Sequence, residues 1–150
     1  MALADALPGA VEFTRFADSL GVEVFYISNR KASNTAPTLG NMSRLGFADA
    51  DSLHLLLKDN TSSKVARRAE IEKKYEIVLL IGDNLADLDG VFEKRADGYG
   101  ITDVETRREL FGTRYIILPN PMYGTWLSEM LKIARGETER EKLINLLEGF

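Results

Sequence analysis

The stretch from Glu76 to Asp87, Glu-Ile-Val-Leu-Leu-Ile-Gly-Asp-Asn-Leu-Ala-Asp, limits the available folds more than any other part of the chain. Five consecutive apolar residues, Ile77 to Ile81, run without polar alternation into Gly82, then into Asp83 and Asp87. A short unbroken apolar run predicts a strand buried on both faces, the usual state of a strand in a parallel sheet. A glycine at its carboxyl end lets the backbone turn and approach a ligand, and ligands of open α/β sheets sit at that end. Two carboxylates there repel each other unless a cation lies between them. A hard divalent ion such as Mg2+ takes oxygen donors of this kind. The plainer reading of the pair is one helix-capping Asp and one solvated Asp.

The rest of the chain supplies the alternation that a parallel sheet needs. Pro8 suits a first helical turn, and Val11, Phe13, Phe16, Ala17 and Leu20 form an apolar stripe that Gly21 closes. Val22 to Ser28 reads as a strand ending in a hydroxyl, followed by Asn29-Arg30-Lys31. A helix over about Pro37 to Leu45 stops at Gly46. Leu53 to Leu57 reads as another strand, and its polar exit offers caps for a helix running to about Tyr75, with Lys64 in the first turn. A helical stretch is expected around Asp87 to Ala96, and Thr102-Asp103-Val104-Glu105 has the capping-box pattern of a further helix start. Arg114 to Pro119 is a fourth strand. A helix through Trp126, Leu127, Met130, Leu131 and Ile133 follows, and Thr138 opens a last one. Strands alternating with helices predict an α/β fold with right-handed crossovers, in one domain over residues 1–150.

Composition narrows the chemistry. The 150 residues contain no cysteine, which excludes disulfides, zinc–thiolate sites and thiol catalysis, and the single histidine, His54, cannot build a multi-histidine metal site. His54 sits in an apolar run and reads as a packed residue rather than a catalyst. A net charge of −4 leaves no basic footprint for nucleic acid, although Lys64 to Arg68 form a local basic cluster. No apolar run approaches membrane-spanning length, so no membrane contact is expected of this segment.

Three strand exits carry polar groups that can converge: Ser28-Asn29-Arg30, Lys64, and Asp83 with Asp87. A hydroxyl and an ammonium hold phosphoryl oxygens well and a carboxylate holds magnesium, a division of labour suited to phosphoryl transfer. Taken singly, each residue has a bland use. Ser28 can cap a turn, Lys64 can be a solvated helix residue, Arg30 can pair with any of 23 acidic residues, and Tyr123 with Trp126 can be core.

In this order the residues resemble the haloacid dehalogenase superfamily of phosphohydrolases, and within it the bacterial class C acid phosphatases, the outer-membrane lipoprotein e group, and their class B neighbours. The resemblance is carried by Pro8 to Phe13, Phe25 to Arg30, Ser62-Ser63-Lys64, Gly82 to Asp87, and Leu118 to Trp126. It implies a Rossmann-like three-layer fold with a mostly parallel sheet. It further implies that Ser28 hydrogen-bonds the transferred phosphoryl group, Lys64 neutralises it, Asp83 ligates Mg2+, and Asp87 orients Lys64 or a metal-bound water. Asn29 and Arg30 fall in the substrate-binding segment, and Tyr123 and Trp126 are implied walls for an aromatic moiety such as the base of a nucleoside monophosphate.

One element of the family pattern has no counterpart. The family's first motif, Asp-x-Asp-x-Thr, supplies the nucleophile and general acid at the end of the first strand, upstream of the Pro-Gly segment; only seven residues precede Pro8, and the motif occurs nowhere in the chain. Asp87-Leu88-Asp89 and Asp49-Ala50-Asp51 have part of its letters but do not directly follow a predicted strand. The expectation is therefore a carboxyl-terminal portion of a phosphatase, inactive alone, whose sheet lacks its first strand and leaves unpaired backbone at two neighbours. The functional expectation is a magnesium-dependent acid phosphatase acting on small phosphomonoesters through an aspartyl-phosphate. The alternative is a non-catalytic α/β domain that binds an anion, a metal or a partner chain. By resemblance the location is the cell envelope, as a periplasmic protein or outer-membrane lipoprotein, and a homo-oligomer is left open.

Overall fold

The computed structural model describes residues 3–94, 100–120, 124, 126, 127, 138 and 144. The chain divides after Glu70 into two compact units.

In the first unit, α1 (Ala10–Ser19) and α2 (Thr35–Leu45) accompany β1 (Tyr26–Lys31) and β2 (Leu55–Lys58), and α3 (Val65–Glu72) begins at its end. β1 and β2 are parallel, with Tyr26 opposite Leu55 and Ser28 opposite Leu57. Parallel neighbours need a crossover, and α2 supplies it. The two expected glycine stops are in place. Gly21 and Gly46 have φ of 77° and 85°, and each lets the chain fold back on the helix it ends. The Val22 N–H reaches the Ala17 carbonyl at 3.1 Å and the Phe47 N–H the Met42 carbonyl at 3.1 Å. Arg15 of α1 donates to the Gly46 carbonyl at 2.7 Å, and any Cβ on Gly46 would run into that guanidinium.

β1 corrects the expected strand at both ends. It starts at Tyr26 rather than Val22, since the Val24 N–H is taken by the Asp49 carboxylate (2.8 Å) instead of a neighbouring strand. It then runs on through Asn29 to Lys31, with a slip in register after Ser28, so Ser28 lies inside the strand. His54 is buried, as its apolar surroundings predicted. Its Nδ1 faces Asp51 at 2.9 Å, its Nε2 faces Glu23 at 3.2 Å, and its ring lies 4.8 Å from that of Phe25. Burial works to lower its pKa, but the hydrogen bonds to Asp51 and Glu23 outweigh it and leave the imidazole above its ordinary 6.5.

The second unit holds β3 (Leu80–Gly82), α4 (Leu85–Leu88), α5 (Ile101–Thr106) and β4 (Tyr115–Ile117), with 3-10 turns over Gly90–Glu93 and Arg108–Leu110. β3 and β4 are parallel, Leu80 opposite Tyr115 and Gly82 opposite Ile117. Phe92 and Leu88 are fully buried, with Ile71 and Tyr115 close to it. Asp89 ties this core together. It accepts the Val91 N–H at 3.0 Å, the Arg107 Nε–H at 3.2 Å and the Tyr115 hydroxyl at 3.3 Å. Burial alone would raise the Asp89 pKa; the Val91 and Arg107 hydrogen bonds outweigh it and hold the carboxyl below its ordinary range.

Two expectations fail in this unit. The Ile77–Ile81 run is not a strand buried on both faces: only Leu80–Gly82 pairs, Val78 is 57% exposed and Ile81 43%. The reason is pairing. Among the described residues β3 has a neighbour on one edge only, in a two-stranded sheet, and β1 likewise has only β2. Thr102 does not cap α5 either. The helix starts one residue earlier, behind Gly100 at φ 83°, and Thr102 lies within it. The α/β class with parallel pairing stands. Tyr123 and most of the two last expected helices lie outside the described residues.

Candidate functional site

The hydroxyl and cationic candidates lie in the first unit. Ser28 is half-buried in β1, and its Oγ accepts the Arg30 N–H at 3.3 Å. Asn29 and Arg30 are exposed. Lys64 is half-buried and stands immediately before Val65 rather than in the first turn of α3. Its carbonyl accepts the Arg68 N–H at 3.0 Å, so its backbone opens the helix and its position is set by the first turn.

The carboxylate candidates lie in the second unit. Asp83 is exposed just past β3, and one of its oxygens accepts the Asn120 Nδ2–H at 2.8 Å from the exit of β4. The β3–β4 pairing brings those two exits side by side, since the Leu118 N–H continues the ladder to the Gly82 carbonyl at 2.8 Å. Asn84 caps α4, its Oδ1 accepting the Ala86 N–H at 3.2 Å, and this short helix carries Asp87. A Cβ on Gly82 would overlap the Asp87 side chain, coming within 2.8 Å of Oδ2. The glycine of the Gly-Asp-x-x-x-Asp pattern therefore earns its place by letting Asp87 lie against the end of the strand. Gly124 is similarly hemmed in, with Asn84 Nδ2 and Trp126 Cδ1 at 2.8 and 3.0 Å from where a Cβ would stand. Trp126 is half-buried, which suits a wall as well as a packed residue.

Two lookalikes of the missing first motif can be dismissed on geometry. Asp87 lies in α4 and Asp89 is occupied by Val91, Arg107 and Tyr115. Asp49 sits in a loop at φ 49° bonded to Val24, and Asp51 is bonded to Leu53 and His54. Neither pair ends a strand.

The donor set around Asp83 fits magnesium. No group of three or more His, Cys, Asp or Glu residues able to hold a metal gathers among the described residues. Mg2+ does not need one: it characteristically keeps several waters and takes one or two carboxylates plus substrate oxygens. Asp83 offers a hard oxygen at a strand exit, and Asn120 fixes the carboxylate's orientation from outside, as the partners of metal-binding carboxylates do.

Residues 2–126 match the HAD superfamily, subfamily IIIB (acid phosphatase). The chain belongs to that family. The class C acid phosphatase from Bacillus anthracis matches with a TM-score of 0.85 at 35% identity, over 99% of this chain and 63% of that one. A second structure of the Bacillus anthracis enzyme, with tungstate bound, matches with a TM-score of 0.83 at 37% identity, over 94% of this chain and 60% of that one. The chain thus spans less than two thirds of the length of these two relatives. Family membership confirms the haloacid dehalogenase-like α/β fold expected from the motifs.

Sequence reasoning missed three residues that bond or pack against the candidate site residues within their own unit. Asn120 was visible only as part of the Leu118–Trp126 segment, and nothing in a lone Asn-Pro marks a bond to Asp83. Asn84 lay inside the acidic motif unremarked. Arg67 was read as one charge in a basic cluster, yet its guanidinium donates hydrogen bonds to Ser28, Asn29, Leu56, Ser62 and Ser63.

Proposed function

We propose that the protein carrying this chain is a magnesium-dependent phosphomonoester hydrolase, and that these 150 residues supply its phosphoryl- and metal-binding groups. Ser28 donates its hydroxyl to a phosphoryl oxygen, Lys64 neutralises the charge on the same group, and Asn29 with Arg30 contacts the substrate. Asp83 holds Mg2+ and Asp87 serves as the orienting carboxylate. The metal, when bound, offsets phosphate charge and acts as a Lewis acid on it. By the resemblance, the nucleophile belongs to an Asp-x-Asp-x-Thr segment; these 150 residues do not contain that motif, and neither lookalike ends a strand. That Asp attacks phosphorus to give an aspartyl-phosphate, the alcohol departs with a proton from the second Asp, and water hydrolyses the acyl phosphate. Substrates are small phosphomonoesters, nucleoside monophosphates included, with Trp126 and Tyr123 as walls for the base. A cell-envelope location follows from the resemblance. No described helix is long and apolar enough to cross a membrane.

The observation that carries this reading is the Gly82–Asp83–Asp87 arrangement with Asn120 on Asp83, on a chain whose family is that of acid phosphatases. Magnesium titration tests it. In the protein that contains both this chain and an Asp-x-Asp-x-Thr strand, Asp83→Asn is expected to abolish the Mg2+ dependence of p-nitrophenyl phosphate hydrolysis along with most of the rate. An Asp83→Asn protein with unchanged rate and unchanged magnesium response refutes the assignment.

A further inference from the structure

The guanidinium of Arg67 spans three segments of the first unit. Its Nη1 donates to the Ser28 carbonyl at 2.8 Å and the Leu56 carbonyl at 3.4 Å, so one nitrogen bridges β1 and β2. Its Nη2 donates to Asn29 Oδ1 at 2.7 Å, to the Ser63 carbonyl at 2.9 Å and to the Ser62 carbonyl at 3.4 Å. The second nitrogen therefore joins β1 to the two residues that lead into Lys64. Arg67 is itself half-buried on α3, one turn past Lys64. A rigid planar fork with separated donors can make these bonds at once, whereas the single ammonium of a lysine cannot reach both sets.

From this geometry we infer that Arg67 is a positioning residue for phosphoryl binding, acting through Ser28, Asn29 and the segment that carries Lys64. It rests on the reading of Ser28 and Lys64 given above. The contact with Asn29 is the informative one. An arginine has only donors, so the atom of the Asn29 amide that faces it is the oxygen. The amide NH2 of this exposed residue is then turned away from Arg67, presenting two donors suited to phosphoryl oxygens. Arg67 thereby sets three things at once: the level of Ser28 in its strand, the polarity that Asn29 shows to a ligand, and the entry of the chain into Lys64.

Titration of the 150-residue chain with inorganic phosphate, followed by 15N NMR, tests this. In the unsubstituted chain the Asn29 side-chain NH2 signals are expected to shift with phosphate, together with the Ser28 and Lys64 amides. Arg67→Lys should weaken phosphate binding by about tenfold to a hundredfold, the range typical of residues that orient a binding group, with the first unit's amide spectrum otherwise retained. Asn29→Asp keeps Arg67 in place but turns a carboxylate oxygen outward, and should weaken binding comparably, so the inference does not depend on Arg67→Lys folding. Unchanged phosphate affinity in both variants, or Asn29 NH2 signals indifferent to phosphate, overturns the role of Arg67. Ser28→Ala and Lys64→Ala separate that failure from a failure of the underlying reading: if neither weakens binding, or the unsubstituted chain binds no phosphate, the assignment of Ser28 and Lys64 is wrong and the inference falls with it.

Discussion

Lys64→Ala, in the protein that joins this chain to an Asp-x-Asp-x-Thr strand, is expected to lower kcat for p-nitrophenyl phosphate by about 10²–10³-fold, the usual effect of deleting one preorganised charge from a transition state. Charge on the transferred group is spread over its equatorial oxygens, so a fixed ammonium stabilises the transition state through geometry that the fold has already set. The loss should come without unfolding. What Lys64 gives the fold through its backbone is a carbonyl that accepts the Arg68 N–H at 3.0 Å, and alanine retains it. Lys64→Arg restores charge but places it on a broader, planar head, so partial recovery is expected. Paired kcat and thermal-midpoint measurements check this: a fall in midpoint that matched the fall in rate would make Lys64 a structural residue.

Phe92→Ala should act in the opposite way, destabilising the second unit by about 3–5 kcal/mol, the range for deleting a buried aromatic ring. Phe92 has no exposed surface, and Leu88, four residues earlier, has 1%. The Arg107 guanidinium lies 5.9 Å from the ring centroid and also bonds Asp89, so the cavity would loosen the polar tie as well as the core. Typical domains are stable by only about 5–15 kcal/mol, so this one change removes a large fraction. Denaturant unfolding that monitors Tyr115, which bonds Asp89 and is buried, reads the effect. A loss below about 1 kcal/mol would mean that the ring is not the centre of this core.

These two residues differ in how legible they were. Lys64 was picked out because an ammonium, in chain order with the Ser28 hydroxyl and the Asp83–Asp87 pair, suits phosphoryl oxygens. Phe92 was not: it falls in the helical stretch expected around Asp87 to Ala96, four residues after Leu88, but that spacing alone does not mark it as the centre of a core. Helix stops at Gly21 and Gly46 were readable because a left-handed residue leaves a chemical signature in the sequence. Strand limits were not: β1 begins where His54 and Asp49, roughly twenty-five residues away, decide which N–H groups are free to pair. The exposure of Val78 and Ile81 was invisible for the same reason, as an apolar run says what a strand can bury and not which neighbours flank it. Candidate site residues were nameable where a residue type and its spacing carry the chemistry, as with Gly82, Asp83 and Asp87. The supporting contacts from Arg67 and Asn120 depend on long-range geometry, across 39 and 37 positions, and no local pattern encodes them.

The central claim is that this chain holds the phosphoryl- and metal-binding groups of a phosphatase whose nucleophile lies in an Asp-x-Asp-x-Thr strand. The most direct measurement is release of inorganic phosphate from p-nitrophenyl phosphate, with Mg2+, by the 150-residue chain alone and by the same chain preceded by a strand ending in that motif. The account predicts no turnover by the first and magnesium-dependent turnover by the second, lost again when the first Asp of the motif is changed to Asn. Turnover by the 150 residues alone, or a folded, magnesium-binding joined protein that hydrolyses no phosphomonoester, would contradict it.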